Sequence, residues 1–308
     1  MNVLLVGLGS IGKKHIKALK TCVDSCTIYA LRSGNQRTVF EDTINIYSLE
    51  EISDISFGFA IISNPTNLHV ETISELLDLK IPMMIEKPLS FSLEISDLIN
   101  KVNALGIRTY IACNLRFLES LKFVKEYVGK QEIKINEVNV YAGSFLPEWR
   151  PSQNYRESYS ADSKMGGGVH LDLIHELDYL YWIFGMPKKV SAILKSQSSL
   201  SIDSIDYANY NLEYNGFCAS VILNYYRRDA KRTFELVFEN ETWIVDLMQN
   251  SVFCSGKTLF SSQQSIADTY SEQMSYFVDS LQKYSNTFNT IENAYDVLKI
   301  CLNHDIER

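Results

Sequence analysis

The chain has 308 residues, of which 46% are hydrophobic and 21% are charged, and its net charge is −8. It contains 14 glycines and 6 prolines, whereas average usage would give about 22 and about 15. This composition excludes collagen-like, linker-like and low-complexity chains. Because a single core rarely grows beyond about 250–300 residues, the length predicts two domains. The acidic charge argues against general binding to nucleic acid or anionic membranes.

The cysteines and the first residues bear on cellular location. The six cysteines are scattered, and no second Cys/His pair accompanies Cys22 and Cys26, so we predict reduced thiols and no metal site. Met1–Val6 lacks the basic start of a signal peptide, and no apolar run approaches the roughly 18 residues that span a membrane. We therefore predict a cytoplasmic protein. The most basic run, Arg227–Arg232, is interpreted as a solvated loop between strands.

In residues 1–115, short apolar runs alternate with amphipathic segments. The predicted strands are Val3–Val6, Thr27–Leu31, Phe57–Ile62, Met83–Ile85 and Tyr110–Ala112, and the predicted helices are Ile11–Lys20, Leu68–Leu79 and Ser92–Leu105. Strands that alternate with helices form βαβ units around a parallel sheet. We therefore predict an α/β dinucleotide-binding domain of the Rossmann type at 1–115.

Strands dominate the pattern of residues 116–308. The predicted strands are Ile135–Phe145, Val190–Lys195, Tyr207–Tyr214, Phe217–Tyr226, Phe234–Phe238 and Trp243–Leu247, and the predicted helices are Arg116–Val128, Leu171–Phe184, Tyr270–Tyr284 and Ile291–Asn303. Runs of strands after a parallel-type domain indicate a second, largely antiparallel α+β domain. We assign it to 116–308, with C-terminal helices that can pack back on the first domain.

A glycine motif, Gly7-Leu8-Gly9-Ser10-Ile11-Gly12, joins the first predicted strand to the first helix. In this context Gly7 permits a tight turn, Gly9 lets the backbone approach a pyrophosphate, and Gly12 lets the helix pack closely on the strand. The amides at the helix start, at Ser10 and Ile11, are expected to face the anion. The motif predicts a dinucleotide cofactor.

The end of the second strand bears on which nicotinamide cofactor binds. An NAD site usually has Asp or Glu there, but Asp24 precedes the strand and Glu41 lies well after it. Arg32 can instead pair with a 2′-phosphate, and Ser33 can donate to it. We therefore favour NADP over NAD, with a simple lining role for Arg32 against the adenine as the alternative.

Lys87 follows the strand Met83–Ile85 in the run Glu86-Lys87-Pro88. Ligands of open α/β folds bind at the carboxyl ends of the strands, which is where this lysine lies. Pro88 favours a fixed, and potentially cis, turn that aims the lysine side chain. Burial beside a nicotinamide would suit Lys87 to proton transfer. The alternative is an ordinary surface lysine before a turn.

A second glycine triplet, Gly166–Gly168, opens the predicted helix Leu171–Phe184. Asp172 and His175 are three residues apart, so a continuous helix places them on one face. Histidine can shuttle protons, and a nearby carboxylate can fix its tautomer. A structural Asp–His pair is the alternative.

The segment from Pro147 to Met165 is aromatic and polar, and we interpret it as a substrate cover. Trp149 and Tyr155 can stack on the apolar face of a sugar ring. Arg150 and Arg156 can bind a carboxylate or phosphate. The alternative is a structural arm that packs on a neighbouring subunit.

Several motifs in order make the chain resemble the Gfo/Idh/MocA oxidoreductases (the glucose-fructose oxidoreductase and inositol dehydrogenase family). The motifs are Gly7–Gly12 with His15 following, Ser63-Asn64-Pro65-Thr66-Asn67-Leu68-His69, Glu86-Lys87-Pro88, Asn114-Leu115-Arg116-Phe117, and Gly166–Gly168 leading to Asp172 and His175. The resemblance covers nearly the whole chain. It implies a Rossmann domain followed by an α+β domain with a large, mostly antiparallel sheet, whose face forms a homodimer or homotetramer interface.

The resemblance also implies roles for residues. Lys87 would be the catalytic lysine, and Asp172 and His175 its partners, all three reaching the substrate. Asn64, Pro65, His69 and Glu86 would line the nicotinamide side of the cofactor. Arg116 would lie near the cofactor or substrate.

Together these features predict an NAD(P)-dependent oxidoreductase. It would transfer hydride between the nicotinamide and a secondary alcohol or ketone of a sugar, nucleotide sugar or cyclitol, in surface-sugar biosynthesis. The alternative is a non-catalytic regulator that senses cofactor or sugar on the same fold. Which sugar enters is not encoded in any motif.

Overall fold

The computed structural model describes residues 1–34, 38–130 and 133–302. It divides into two compact units: unit 1 is Met1–Cys113 with Tyr270–Tyr295, and unit 2 is Asn114–Thr269 with the described residues from Asp296 to Leu302. The helical segment after Thr269 thus belongs largely with unit 1, although it follows unit 2 in sequence. No helix within the described ranges is both long and apolar enough to cross a membrane.

The regular elements are numbered in chain order. The strands are β1 (Asn2–Val6), β2 (Thr27–Leu31), β3 (Ile44–Ile46), β4 (Phe59–Ile62), β5 (Met83–Glu86), β6 (Thr109–Ala112), β7 (Ile135–Phe145), β8 (Lys189–Lys195), β9 (Tyr207–Glu213), β10 (Cys218–Asn224), β11 (Tyr226–Phe238), β12 (Thr242–Asp246), β13 (Ser251–Cys254) and β14 (Lys257–Ser261). The helices are α1 (Ser10–Cys22), α2 (His69–Leu76), α3 (Ser96–Ala104), α4 (Glu119–Lys130), α5 (Val169–Asp172), α6 (His175–Phe184), α7 (Thr269–Gln282) and α8 (Ile291–Leu302).

Unit 1 contains a six-stranded parallel sheet in the order β3-β2-β1-β4-β5-β6. The strands β4, β5 and β6 are buried along their whole length, as expected for a parallel sheet covered on both faces. The strand order reverses between β1 and β4, and ligands of such sheets bind outside the carboxyl ends at this reversal. The predicted Rossmann fold is confirmed.

The segment that returns to unit 1 is fixed on the sheet by aromatic packing. Phe277 of α7 lies 5.2 Å from Phe59 of β4 and 5.8 Å from Tyr110 of β6, measured between ring centroids. The Ile111 amide also donates to the Asn289 carbonyl oxygen at 2.9 Å. These buried rings make α7 part of the core of unit 1.

Unit 2 contains an eight-stranded sheet in the order β14-β13-β12-β11-β7-β10-β9-β8. All its neighbouring pairs are antiparallel except β7 and β10, so the predicted mostly antiparallel sheet is confirmed. Along β9, for example, Ala208, Tyr210 and Leu212 are buried while the residues between them are more exposed. The edge strand β14 and its neighbour β13 were not predicted, because both are short, β14 is mostly exposed and β13 is buried over only half its length.

The prediction of a loop at Arg227–Arg232 is wrong, because these residues belong to β11, but the segment is solvated as predicted, since most of its residues are exposed. The pairing of β11 with β7 is irregular between Tyr226 and Lys231. Aromatic rings of the neighbouring β7 support the cations. The Arg227 and Lys231 charges lie 5.1 and 5.3 Å from the centre of the Tyr141 ring, and Arg228 lies 4.1 Å from that of Phe145. A cation over an aromatic face is favourable, and only the strand pairing makes these contacts available.

The prediction of one helix over Leu171–Phe184 is also wrong. The segment forms two helices, α5 and α6, separated by a turn at Leu173, whose φ of −100° and ψ of 31° are not helical. Each helix has its own polar partners in unit 2: Tyr225 bonds to Asp172 of α5, and Arg232 bonds to Glu176 of α6. Because these partners are distant in sequence, the spacing of apolar residues within Leu171–Phe184 does not indicate the contacts.

Candidate active site

Two of the three glycines in the first motif are required by packing at the end of β1. Gly7 has φ of +90°, and a Cβ atom there would lie 2.6 Å from the amide nitrogen of Asn64. A Cβ atom at Gly12 would overlap the carbonyl oxygen of Gly7. Neither position accepts a side chain without a backbone shift, so Gly7 and Gly12 shape the turn itself.

Gly9 differs, because no heavy atom of the described chain lies within 4 Å of where its Cβ would be. It precedes α1, whose first turn has no side-chain cap and no acidic residue. The amides of Ser10, Ile11 and their neighbours at the helix start are thus available to an anion, and the helix dipole favours negative charge there. The open space over Gly9 fits a pyrophosphate.

The end of β4 lies beside the glycine turn. The Ser63 hydroxyl donates to the Gly7 carbonyl oxygen at 2.8 Å. The side-chain amide nitrogen of Asn64, Nδ2, donates to Thr72 Oγ1 at 2.8 Å. The side-chain oxygen Oδ1 of Asn64 is buried and has no hydrogen-bond partner in residues 1–34, 38–130 and 133–302. Pro65 follows and starts a single 3-10 turn before α2. A buried unpaired acceptor is costly, so Asn64 Oδ1 fits a donor on a bound cofactor.

Arg32 and Ser33 follow β2, as predicted. Nη1 of Arg32 donates to the Thr38 carbonyl oxygen at 3.0 Å and to Asn45 Oδ1 at 3.3 Å, while Ser33 is exposed. Glu41 lies 3.7 Å from Nζ of Lys20, in the last turn of α1, so it pairs at the helix end opposite Gly9. A helix of this length spans about 20 Å, which keeps the Glu41 pair away from the glycine turn.

His69, the first residue of α2, bridges two loops. Its Nδ1 lies 3.0 Å from the Pro88 carbonyl oxygen, and its Nε2 lies 3.0 Å from the Asn64 carbonyl oxygen. Burial lowers the pKa of His69, and the two carbonyls and the Glu86 charge oppose this only in part. The neutral imidazole is therefore favoured; it has one N–H and donates to one of these two carbonyl oxygens, while its other nitrogen lies beside the second, so His69 lies between the loop after β4 and the loop after β5.

Lys87 follows β5 directly, at the carboxyl edge of the sheet where the sequence predicted it, and its peptide bond to Pro88 is cis. The preceding residue, Glu86, points into unit 1 and accepts from His15 Nε2 at 2.6 Å. The backbone amide of Lys87 donates to the other Glu86 oxygen at 3.2 Å. The buried His15–Glu86 pair thus joins α1 to the residue that carries the lysine.

Arg116 has a structural partner that the sequence did not predict. It is 2% exposed, and its Nε and Nη2 donate to the two Asp178 oxygens at 2.9 and 2.7 Å. This two-pronged pair joins the 3-10 turn before α4 to helix α6. Contact of Arg116 with a cofactor or substrate stays a prediction.

The second glycine triplet makes room for the segment before it. A Cβ atom on Gly167 would lie 2.7 Å from the Asp162 carbonyl oxygen and 2.9 Å from that of Ser160. Gly168 has φ of +127° and precedes α5. The triplet therefore lets the chain at 159–162 lie directly against the entry to α5, which carries Asp172.

Asp172 and His175 lie on consecutive short helices of unit 2, and His175 is buried. Asp172 accepts a hydrogen bond from the Tyr225 hydroxyl at 2.5 Å. Tyr225 was missed by the sequence analysis, since a tyrosine between two strands carries no motif. Lys87 belongs to unit 1, so its combination with Asp172 and His175 in one catalytic group stays a prediction.

The residues of the predicted substrate cover make separate contacts in unit 2. Trp149 is 39% exposed, donates from Nε1 to Ser144 Oγ at 2.8 Å, and meets the Tyr225 ring edge-on at 5.3 Å. The Tyr155 hydroxyl instead donates to the Leu200 carbonyl oxygen, and Arg156 lies over the Tyr155 ring. Arg150 is exposed. Of these four residues, Trp149 is the one that contacts a neighbour of Asp172.

These features define a dinucleotide-binding unit joined to a sheet-rich second unit. The chain belongs to the Gfo/Idh/MocA oxidoreductase family: the model for the NAD-binding Rossmann domain matches residues 1–108, and the model for the family's C-terminal domain matches residues 125–244. The family resemblance predicted from the motifs is confirmed.

Individual relatives are distant. A scyllo-inositol 2-dehydrogenase (NADP(+)) of Bacillus subtilis is 22% identical over 220 residues, which is 70% of this chain and 60% of the relative. The chain spans 60–65% of the first three curated relatives it matches. Among solved structures, a levoglucosan dehydrogenase with NADH and levoglucosan matches with a TM-score of 0.83 at 18% identity, over 98% of this chain and 95% of that one.

A UDP-N-acetylglucosamine 3-dehydrogenase from Acidithiobacillus ferrooxidans matches with a TM-score of 0.80 at 15% identity, over 99% of this chain and 97% of that one. At these identities the two solved structures establish the shared fold.

Proposed function

We propose that this protein is an NAD(P)-dependent dehydrogenase or reductase acting on a secondary alcohol or ketone of a sugar, nucleotide sugar or cyclitol, with a role in surface-sugar biosynthesis. The observation that carries the proposal is the edge of the unit 1 sheet. There the uncapped start of α1 follows β1, Asn64 follows β4 and Lys87 follows β5. Family membership and the names of the relatives, which are dehydrogenases of sugars and cyclitols, support the same class.

The residues have distinct tasks in this proposal. The helix start at Gly9 and the Asn64 oxygen hold the cofactor, which when bound would supply or accept the hydride. Nζ of Lys87 moves the proton of the substrate hydroxyl, with Asp172 and His175 as its partners. Trp149 packs against the substrate ring. Because hydride and proton leave the same C–OH group, a proton acceptor at that oxygen is the essential protein contribution.

The test is an assay with the full chain and a panel of sugars, nucleotide sugars and cyclitols, read at the absorbance of the reduced nicotinamide. Turnover with one of these classes is expected. Binding of cofactor or sugar without turnover across the panel would favour the alternative, a cofactor- or sugar-sensing regulator, and would overturn the proposal.

We also propose a preference for NADP, carried by Arg32 and supported by the pairing of Glu41 with Lys20. Replacing Arg32 by glutamine removes the charge that would meet a 2′-phosphate. The KM for NADPH should then rise about tenfold or more, whereas that for NADH should change by less than about threefold. Steady-state kinetics with both cofactors measures this, and equal changes in the two constants would contradict it.

We further propose that the protein is cytoplasmic and forms a homodimer or homotetramer through the face of the unit 2 sheet that carries Ile193, Ile244 and Phe253. Ile193 of β8 and Ile244 of β12 are exposed large apolar side chains on this face, which supports the proposal. Sedimentation velocity should give the mass of two or four chains.

A further inference from the structure

We propose that Tyr225 is a positioning residue for Asp172 and that it links this carboxylate to the predicted substrate-cover segment at 147–165. The inference rests on the proposed function, since the position of Asp172 matters to turnover only if Asp172 takes part in proton transfer. It goes beyond that function because it adds a residue which no motif of the chain marks.

Tyr225 is fixed in place by its backbone and its hydroxyl. The residue is fully buried, and its amide donates to the Asp206 carbonyl oxygen at 3.1 Å while its carbonyl oxygen accepts from the Leu146 amide at 2.8 Å. From this anchored position the hydroxyl donates to Asp172 Oδ2 at 2.5 Å. A short hydrogen bond to a carboxylate is among the stronger kinds in proteins, so it holds the carboxylate in one orientation.

The Tyr225 hydroxyl is suited to act as a donor to Asp172. Burial raises the pKa of Tyr225 well above its ordinary value, and the Asp172 charge and the hydrogen bond to it raise it further. The hydroxyl therefore keeps its proton. Because it has a single hydrogen, donation to Asp172 commits the hydroxyl to that partner.

The 147–165 segment meets Tyr225 through Trp149, whose ring contacts the Tyr225 ring edge-on at 5.3 Å between centroids. Nε1 of Trp149 donates to Ser144 Oγ at 2.8 Å, which holds the indole beside Tyr225. Leu146, directly before the segment, donates its amide to the Tyr225 carbonyl oxygen. Contacts thus run from Trp149 through the ring and hydroxyl of Tyr225 to Asp172.

The experiment is a double-mutant cycle on the enzyme, with Tyr225→Phe and Asp172→Asn separately and together. Tyr225→Phe keeps the ring against Trp149 and removes only the hydroxyl. We expect it to lower kcat about 10–100-fold, with little change in the KM for the cofactor, because the bond lost was made to a charged group. In the Asp172→Asn background the same change should lower kcat by less than about threefold, because the two residues act as one unit.

Tyr127→Phe is the matched control. Tyr127 is a half-buried tyrosine of α4 whose hydroxyl donates to Glu241 Oε1 at 3.1 Å, so its loss removes another tyrosine–carboxylate bond of unit 2 that does not involve α5. We expect Tyr127→Phe to leave kcat within about twofold of the wild type. Similar losses from Tyr127→Phe and Tyr225→Phe would show a general packing effect and would overturn the inference.

Trp149→Leu provides a second variant if Tyr225→Phe unfolds, as judged by its unfolding midpoint. It removes the edge-on ring contact with Tyr225 and should lower kcat at least threefold more in the wild type than in the Asp172→Asn background, since a role of Trp149 in packing on the substrate ring would act equally in both. Equal losses of kcat in the two backgrounds would overturn the link to the segment. If the wild type is active and the effects of Tyr225→Phe and Asp172→Asn on kcat are additive, the inference is overturned but the proposed function is not. A wild type without turnover on the whole panel would overturn the proposed function, and the inference with it.

Discussion

Replacement of Lys87 by methionine is expected to lower turnover about 10²–10⁴-fold while leaving the affinity for the nicotinamide cofactor largely intact. Methionine keeps most of the aliphatic stem and removes the group that would carry the proton of the substrate hydroxyl. The glycine turn and Asn64, which are expected to hold the cofactor, are unchanged in this variant. Steady-state kcat and titration of cofactor fluorescence measure the two effects separately.

Lys101→Met is the control for this variant. Lys101 is an exposed residue of α3 in the same unit, so its replacement repeats the loss of one positive charge without touching the sheet edge. Its kcat should match that of the wild type. If Lys87→Met had the kcat of the wild type, the lysine would have no part in the mechanism. If Lys87→Met lost cofactor affinity to the same extent as kcat, the lysine would act in cofactor binding instead.

Alanine at Gly9 and at Gly12 should have opposite consequences, although both glycines belong to one motif. Gly9→Ala adds a methyl group to open space, so the free energy of unfolding should not change. The same methyl group would meet a bound pyrophosphate, and cofactor affinity should fall about 10–100-fold, since overfilling a contact costs roughly 1–3 kcal/mol. Gly12→Ala forces a methyl group onto the Gly7 carbonyl and should destabilise the protein by about 3 kcal/mol.

Gly129→Ala is the control for both variants. Gly129 lies in α4, and no described atom lies within 4 Å of where its Cβ would be. Alanine there should raise the free energy of unfolding by up to about 1 kcal/mol, because glycine is a poor helix residue. Urea unfolding and cofactor titration test the set. A large loss of stability for Gly9→Ala, or normal stability for Gly12→Ala, would contradict the assignments of these two glycines.

The features that the sequence determined by itself are those whose cause lies within a few residues. The apolar run before Gly7 and the amphipathic segment after it predicted a strand, a turn and a helix, and β1 and α1 have these positions. Lys87 was placed at the carboxyl edge of the parallel sheet, because strands that alternate with helices can form only that kind of sheet with short connections. The family followed from the order of such local motifs.

The break between α5 and α6 shows where local pattern fails. The apolar spacing from Leu171 onward fits a continuous helix, whereas the structure has a turn at Leu173. The residues on either side of this turn, Asp172 and Glu176, bond to partners that lie 53 and 56 residues away in sequence, and a local pattern cannot show such partners. The prediction of a loop at Arg227–Arg232 failed for the same reason, because the aromatic rings that lie against these cations belong to β7, which is distant in sequence.

Partners of buried polar groups are what only the tertiary structure decided. Leaving a buried charge or hydroxyl unpaired is costly, but any complementary group in the chain can serve as its partner, and the fold selects one by proximity. Arg116 is paired with Asp178, Glu86 with His15, and Asp172 with Tyr225, at separations of 62, 71 and 53 residues. The sequence identified the residue types suited to the chemistry, and the folded chain chose the partners that orient them.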